Sequence, residues 1–120
     1  MLNLNSVMIG TKQPKVMAAF YEKVIGKPAD MVDSDNGFFG WQTGGGFFSL
    51  LEHSEMGGQT KDPGRVMLNF ETSQVKEEFE RIKALGGKVI KAPYNMGSES
   101  AWIATLADPD GNYFQLITPM

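Results

Sequence analysis

The residue best suited to acid–base chemistry in this sequence is its single histidine, His53, and the chain contains no cysteine. Without cysteine there is no disulfide, no thiolate metal site and no cysteine nucleophile. A catalytic triad or a histidine metal site would therefore have to include His53. On a strand, His53 and Glu55 would share a face, which offers too few donors for a complete metal site. The pattern is more typical of a solvated strand end before a glycine loop, and His53 has no visible partner for base catalysis.

The composition excludes further classes of function. The chain has 120 residues, of which 42% are hydrophobic and 21% are charged, as in an ordinary single globular domain. Its formal charge of −3 opposes binding to a phosphate backbone, so we expect no nucleic-acid partner. No apolar run is long enough to cross a bilayer, and the first five residues lack the basic start of a signal peptide. We therefore expect a cytoplasmic protein with no membrane partner.

The first half of the sequence reads as a strand, a helix and a hairpin. Residues 3–10 predict the strand. Pro14 suits the first turn of a helix, which Gly26 ends. Residues 38–42 and 47–52 predict two strands, and the three glycines between them favour a hairpin turn.

The second half repeats this order. Residues 65–71 alternate polar and apolar side chains and predict a strand. Thr72 or Ser73 is a candidate helix cap, the apolar stripe from Val75 to Leu85 is the buried face, and the glycines at 86–87 end the helix. Three more strands are predicted at residues 88–91, 101–107 and 113–118.

The two halves follow each other at an offset of about 60 residues, which indicates an internal duplication. We expect one domain over residues 1–120. It comprises module one at 1–53, a linker rich in glycine, aspartate and proline at 54–64, and module two at 65–120. A half of this length is marginally stable alone, so we expect the modules to share an interface.

Four motifs inside this duplication resemble those of the vicinal oxygen chelate superfamily. They are FYEKVIG at 20–26, GRVMLNFE at 64–71, LGG at 85–87 and DPDGNYFQL at 108–116. The superfamily contains glyoxalase I, extradiol dioxygenases, and fosfomycin and bleomycin resistance proteins. The resemblance spans nearly the whole chain. It implies an α+β fold of tandem βαβββ modules, whose curved mixed sheets form a cup with the helices outside.

In metal-dependent members of this superfamily, four inward side chains hold a divalent ion. The resemblance places Ser6, Ser49, Arg65 and Gln115 at these positions. Hydroxyls and an amide are weak ligands beside imidazole and carboxylate, and the fixed positive charge of Arg65 repels a cation. The sequence therefore predicts no metal and no other cofactor. It disfavours glyoxalase and dioxygenase chemistry, which needs the ion.

Without the ion, the cup remains as a pocket for a small molecule. Strand alternation turns side chains of both modules inward, and two tryptophans lie on the remaining hairpin strands. The expected ligand-binding residues are Ser6, Met8, Trp41, Phe47, Ser49, Leu51, Arg65, Met67, Asn69, Trp102, Tyr113 and Gln115. Their mixture of aromatic, thioether and convergent polar groups is typical of small-molecule pockets.

Arg65 and the tryptophans each have an alternative role. Arg65 either pairs with a carboxylate or phosphate of the ligand, or forms a salt bridge with a protein carboxylate such as Glu71 or Glu99. Trp41 and Trp102 either stack on a flat ligand or pack in the core or an interface, and packing is favoured.

We therefore expect a metal-free small-molecule-binding protein of the glyoxalase/bleomycin resistance type, with an unidentified ligand in the sheet cup. One alternative is a lyase, isomerase or dioxygenase with an unconventional site. Another is a non-catalytic interaction module whose cup is filled by its own side chains. Arg65 and the modest net charge do not favour the acidic groove of a binder of basic drugs. The resemblance also implies a homodimer.

Overall fold

Four strands and one helix make up the first half of the chain. The computed structural model describes residues 1–119, and its first compact unit runs from Met1 to Gly58. The unit contains β1 (Ser6–Thr11), α1 (Pro14–Ile25), β2 (Met31–Asp33), a short 3-10 helix (Ser34–Asn36), β3 (Phe38–Thr43) and β4 (Gly46–Glu52). The sheet order is β1-β4-β3-β2, with β1 parallel to β4 and the other pairs antiparallel.

The second unit, which begins at Gln59, has the same topology. It contains β5 (Leu68–Glu71), α2 (Val75–Ala84), β6 (Lys88–Asn95), β7 (Trp102–Ala107) and β8 (Tyr113–Ile117). The sheet order is β5-β8-β7-β6, with β5 parallel to β8. This confirms the predicted α+β fold of tandem βαβββ modules.

In both units, the helix starts after a turn in which a threonine hydroxyl accepts a hydrogen bond from a backbone N–H. The Oγ1 atom of Thr11 accepts a hydrogen bond from Gln13 N at 3.0 Å, and Thr72 Oγ1 accepts one from Gln74 N at 3.0 Å. The residue at the cap of α2 is Gln74, so the prediction that Thr72 or Ser73 caps this helix was wrong. The threonine hydroxyl stabilises the turn before the helix rather than the first helical turn.

The helices cover one face of each sheet. In the first unit, the ring of Tyr21 from α1 contacts Phe48 of β4 at 4.8 Å between centroids, and Leu50 on the same face is fully buried. In the second unit, Phe79 and Ile82 of α2 are buried, as are Phe114 and Leu116 of β8. Alternate residues on each strand point away from the helix. We call these opposite surfaces the helix-distal faces.

The helix-distal face of the first unit carries Ser6 and Met8 of β1, Phe38, Gly40 and Gln42 of β3, and Phe47, Ser49 and Leu51 of β4. That of the second unit carries Asn69 and Glu71 of β5, Ile103, Thr105 and Ala107 of β7, and Tyr113, Gln115 and Ile117 of β8.

Several elements differ from the prediction. The short strand β2 and the 3-10 helix were not separately predicted. β6 extends to Asn95 because two register shifts accommodate the stretch around Pro93, a residue tolerated on an edge strand. β5 begins at Leu68 instead of residue 65. Among the described residues 1–119, no helix combines the length and hydrophobicity needed to span a membrane.

Candidate functional site

In the first unit, the expected ligand-binding residues of β1 and β4 share the helix-distal face. Ser6 lies in register with Phe47, and Met8 lies in register with Ser49. Met8 is 54% exposed although it is apolar, and Ser49 is only 2% exposed. The parallel pairing of β1 and β4 therefore brings together a thioether, an aromatic ring and a hydroxyl on a face that no helix of this unit covers.

Gly40 lets the rings of Phe47 and Phe38 lie close to the backbone of this face. A Cβ atom at residue 40 would meet the Phe47 ring, whose Cε2 atom would be 3.0 Å away, and Phe38 Cζ would be 3.3 Å away. Both distances are tighter than ordinary van der Waals contact. The glycine thus creates the space in which the two rings approach the sheet.

In the second unit, β5 and β8 bring polar residues together. Asn69 lies in register with Gln115, and Gln115 Nε2 donates a hydrogen bond to Thr105 Oγ1 at 3.1 Å. Tyr113 is half-buried two residues before Gln115 on the same helix-distal face. The hydrogen bond to Thr105 holds the Gln115 amide in one orientation.

Arg65 and Met67 precede β5 instead of lying on it, which corrects the prediction that strand alternation turns them inward. The Arg65 N–H donates to the Asp62 carbonyl at 3.1 Å, so the backbone forms a turn there, and pairing with β8 starts at Leu68. The Arg65 side chain is 77% exposed and its Nη2 atom lies 3.7 Å from Asp62 Oδ2. Its carboxylate neighbour is therefore Asp62, and not Glu71 or Glu99 as suggested.

Trp41 lies on the helix side of its sheet, which corrects the expectation that it lines the ligand-binding face. It pairs with Phe48, stacks on that ring at 5.8 Å between centroids, and donates from Nε1 to Lys27 O at 3.0 Å. It is 1% exposed. With Ala18 and Phe39, it lines a shallow cavity of about 270 Å³ beside α1.

Trp102 also lies on the helix side, and the same correction applies. The Nζ atom of Lys76, in α2, is 3.7 Å from the centroid of the Trp102 ring. This is a cation–π contact. The indole Nε1 donates to Glu99 O at 3.2 Å. Both tryptophans therefore pack on the helix side of their sheets, in agreement with the favoured alternative.

His53 lies just past the end of β4 and is exposed. Its Nδ1 atom accepts a hydrogen bond from Glu55 N at 3.2 Å, and its backbone N–H donates to Thr11 O at 2.8 Å. Its side chain and that of Met56 lie over Gly10, where a Cβ atom would be 3.4 Å from His53 Cβ and 3.3 Å from Met56 Cγ. His53 thus closes a loop at the end of the sheet.

The four side chains at the expected metal positions do not fit a divalent ion. Ser6 Oγ donates to Asn5 Oδ1 at 2.8 Å, Gln115 donates to Thr105, and Arg65 brings a positive charge. In residues 1–119, no group of three or more histidine, aspartate or glutamate side chains is arranged to hold a metal. Hydroxyl and amide oxygens offer neither the charge nor the basicity that such an ion requires.

The segment before β5 forms a further pocket that was not anticipated. A shallow cavity of about 430 Å³ is lined by Lys61, Asp62, Pro63, Gly64, Arg65 and Tyr113. Lys61 was missed because it lies in the predicted linker. The sequence signal that could have indicated this pocket is one basic residue on each side of an Asp-Pro-Gly turn, Lys61 before it and Arg65 after it.

Comparison with known proteins gives one family and several structural neighbours. The model of the glyoxalase-like domain matches residues 6–117. No curated protein matches the sequence. A glyoxalase/bleomycin resistance protein/dioxygenase family enzyme from Burkholderia phytofirmans PsJN is 27% identical, with a TM-score of 0.76, covering 99% of this chain and 100% of that one.

Two other neighbours share the fold at lower identity. A glyoxalase-related enzyme from Fulvimarina pelagi is 17% identical, with a TM-score of 0.79, covering 99% of this chain and 89% of that one. The fosfomycin resistance protein FosX from Listeria monocytogenes is 19% identical, with a TM-score of 0.76, covering 100% of this chain and 95% of that one. The family match and the duplicated βαβββ topology agree. The chain therefore belongs to the glyoxalase-like domain family of the vicinal oxygen chelate superfamily.

Proposed function

We propose that this protein binds a small organic molecule on the helix-distal faces of its sheets, without a metal ion. The residues that we assign to this role are Ser6, Met8, Phe47, Ser49, Leu51, Asn69, Tyr113 and Gln115, with Arg65 and Met67 beside β5. The proposal leaves out Trp41 and Trp102, because they lie on the helix side of their sheets.

One observation supports the proposal most directly. The helix-distal face of the first unit, which α1 does not cover, exposes apolar side chains. Met8 is 54% exposed beside the buried hydroxyl of Ser49, and Phe47 and Leu51 flank that hydroxyl along β4. An apolar surface interrupted by a few polar groups is the usual lining of a small-molecule site. Methionine adapts to irregular ligand shapes because its side chain is unbranched and polarizable.

The metal-free part of the proposal rests on donor chemistry. Ser6 and Ser49 supply hydroxyls in the first unit, and Gln115 supplies an amide in the second. The positive charge of Arg65 opposes a cation and favours an anion. Ligand binding here would therefore depend on packing, on hydrogen bonds and on the charge of Arg65.

The methionine methyl groups provide a direct test. We expect a ligand from a broad small-molecule screen to raise the melting midpoint in a concentration-dependent way. In protein labelled with ¹³C at the methionine methyls, the same ligand should shift the signal of Met8. The signal of Met17, which is fully buried on α1, should stay in place.

A matched pair of methionine variants tests whether binding depends on Met8 itself or on any exposed methionine. Met8→Ala should weaken the binding several-fold, whereas Met96→Ala should not, although Met96 is also 42% exposed. Met96 follows the end of β6 and is not among the residues that we assign to the site. Equal effects of the two substitutions, or a ligand that shifts no helix-distal methyl, would contradict the proposal. Turnover of a hemithioacetal or a catechol would favour the enzyme alternative.

We also propose, from the family resemblance alone, that the chain forms a homodimer. Sedimentation equilibrium would measure its mass in solution. A monomer at all concentrations would refute this part of the proposal without affecting the ligand-binding part.

A further inference from the structure

The segment of residues 59–66 is fixed in place although it contains neither helix nor strand. Gln59 Nε2 donates to Pro109 O at 2.8 Å, and Thr60 N donates to Asp110 O at 3.0 Å. Farther along, the Tyr113 N–H donates to Pro63 O at 3.3 Å. These bonds tie the segment to the β7–β8 turn and to the start of β8, so its side chains project from an ordered backbone.

The turn that anchors this segment is itself held by a buried carboxylate. Asp108, which is 5% exposed, accepts hydrogen bonds from Asp110 N at 2.9 Å and from Asn112 N at 3.0 Å. The backbone that carries Lys61 and Arg65 is thus supported by bonds outside the segment. Such support is what a binding site on a loop requires to keep its geometry.

The charges in the pocket lined by Lys61, Arg65 and Tyr113 are not balanced. Asp62 faces Arg65 at 3.7 Å, well beyond the 2.7–2.9 Å of a charge-assisted hydrogen bond, and its side chain is 70% exposed. Within residues 1–119, Lys61 forms no ion pair. Exposed ion pairs contribute little to stability, so Arg65 can exchange Asp62 for another anion at small cost.

Tyr113 connects this pocket to the helix-distal face of the second unit. Its side chain lines the pocket, and it shares a face of β8 with Gln115. A ligand lying against Tyr113 would therefore have one end within reach of the two basic residues. A planar guanidinium favours an oxyanion that can accept two parallel hydrogen bonds, and an ammonium adds a point charge.

We propose that the pocket formed by Lys61, Arg65 and Tyr113 binds the carboxylate or phosphate group of the ligand, which makes the natural ligand an organic anion. This inference rests on the function proposed above and specifies its ligand class. The attraction is local, because the chain as a whole carries a net charge of −3. It should weaken as the salt concentration rises.

The test is a titration followed by ¹H–¹⁵N NMR at constant ionic strength, with benzoate, inorganic phosphate and the neutral analogue benzamide as probes. Benzoate or phosphate should shift the amide signals of residues 61–65 in a saturable way, and benzamide should not. A response to benzoate alone indicates a carboxylate ligand, and a response to phosphate alone indicates a phosphate ligand. Absence of saturable shifts with both anions would overturn the inference.

Two substitutions of Arg65, one that removes its charge and one that keeps it, test whether this side chain binds the anion. Arg65→Gln should weaken anion binding by at least about fivefold, and Arg65→Lys should retain part of it. Lys88→Gln is the control, because Lys88 is exposed on β6, at the opposite edge of the same sheet from β5. Equal affinity of the wild type and Arg65→Gln would also overturn the inference.

The methionine methyl signals distinguish failure of the anion-pocket inference from failure of the proposed small-molecule binding. If a screened ligand shifts the Met8 methyl while anions leave residues 61–65 unchanged, the protein binds a small molecule but the anion pocket is refuted. If anions bind at residues 61–65 and no ligand reaches Met8 or Met67, the anion pocket stands and the broader proposal fails.

Discussion

Asp108 has the most clearly defined structural role of any single polar residue in the second unit. Its carboxylate is buried and accepts hydrogen bonds from Asp110 N, Asn112 N and Asn112 Nδ2. Hydrogen bonds to a charged group are stronger than those between neutral groups. The carboxylate therefore organises the turn that carries both β8 and the segment at residues 59–66.

Replacing Asp108 with alanine should lower the free energy of unfolding by about 2–3 kcal/mol, because two backbone N–H groups lose a charged acceptor in a buried turn. Urea denaturation at neutral pH measures this change. Asp62→Ala is the control and should change stability by less than about 0.5 kcal/mol, since its side chain is 70% exposed. Similar effects of the two substitutions would show that the Asp108 bonds are not stabilising.

Asp30 gives the first unit a defined response to acid. Its Oδ2 atom lies 2.9 Å from Lys27 Nζ and accepts a hydrogen bond from Gln42 N at 2.7 Å. The hydrogen bond from Lys27, followed by that from the Gln42 backbone, lowers the pKa of Asp30 below its ordinary value of 3.8. A lowered pKa in the folded state means that the unfolded chain binds more protons in this range.

The stabilisation from Asp30 should therefore be complete above pH 3.8 and disappear as the pH falls through the lowered pKa. Asp30→Asn should be less stable than the wild type at neutral pH, and the difference should shrink in acid. Urea unfolding at a series of pH values measures both effects. Asp35→Asn, at an exposed position of the 3-10 helix, is the control substitution. A difference that does not change with pH would contradict this account.

Among the elements, α1 has an end whose geometry demands glycine. Gly26 adopts φ 93°, and its N–H donates to Glu22 O at 2.8 Å. This left-handed conformation terminates the helix and is strained for any residue with a Cβ atom. Pro14 at the first turn and Gly26 after the last one explain why both helix boundaries could be predicted.

Gly26→Ala should lower the free energy of unfolding by about 1 kcal/mol through this backbone strain. The control is Gly45→Ala in the β3–β4 turn, where φ is not positive and no atom of the described residues lies within 4 Å of the added Cβ. We expect that change to be within about 0.5 kcal/mol of zero. Thermal or urea unfolding of both variants makes the comparison, and an equal loss in both would disprove the strain argument.

The elements that the sequence missed or misplaced depend on contacts between distant segments. β5 was expected to include Arg65, but the Asp62 carbonyl takes the Arg65 N–H, and the ladder with β8 starts at Leu68. β2 has three exposed residues, so it carries no buried stripe that periodicity could detect. β6 continues through Pro93 because an edge strand can lose one backbone donor.

At the scale of the whole molecule, the proposal that the protein works without a metal ion makes a direct prediction. We expect purified protein to contain far less than one equivalent of zinc, nickel, iron or manganese by elemental analysis. Removal of divalent ions with a chelator should leave the melting midpoint unchanged, because a ligand that is not bound cannot stabilise the folded state.

The matched control for this experiment is the same chelator already saturated with calcium. A fall in the midpoint with the free chelator alone, together with a nearly stoichiometric metal content, would contradict the metal-free proposal.

The sequence by itself determined the order of the elements other than β2 and the 3-10 helix, the duplicated module and the family resemblance. It could do so because apolar periodicity, the proline at the start of α1 and the turn glycines act within a few residues of one another. The same strand alternation correctly placed Met8 and Ser49 on one face, since both lie inside regular strands.

Only the tertiary structure decided which face carries each tryptophan and where Arg65 projects. Trp41 follows Phe48 to the helix side through the β3–β4 register, and Trp102 meets Lys76 from α2. Arg65 is placed by bonds that tie its segment to the β7–β8 turn and to Tyr113, about fifty residues later. Such pairings depend on the approach of segments that are far apart in the chain, and local propensity carries no information about them.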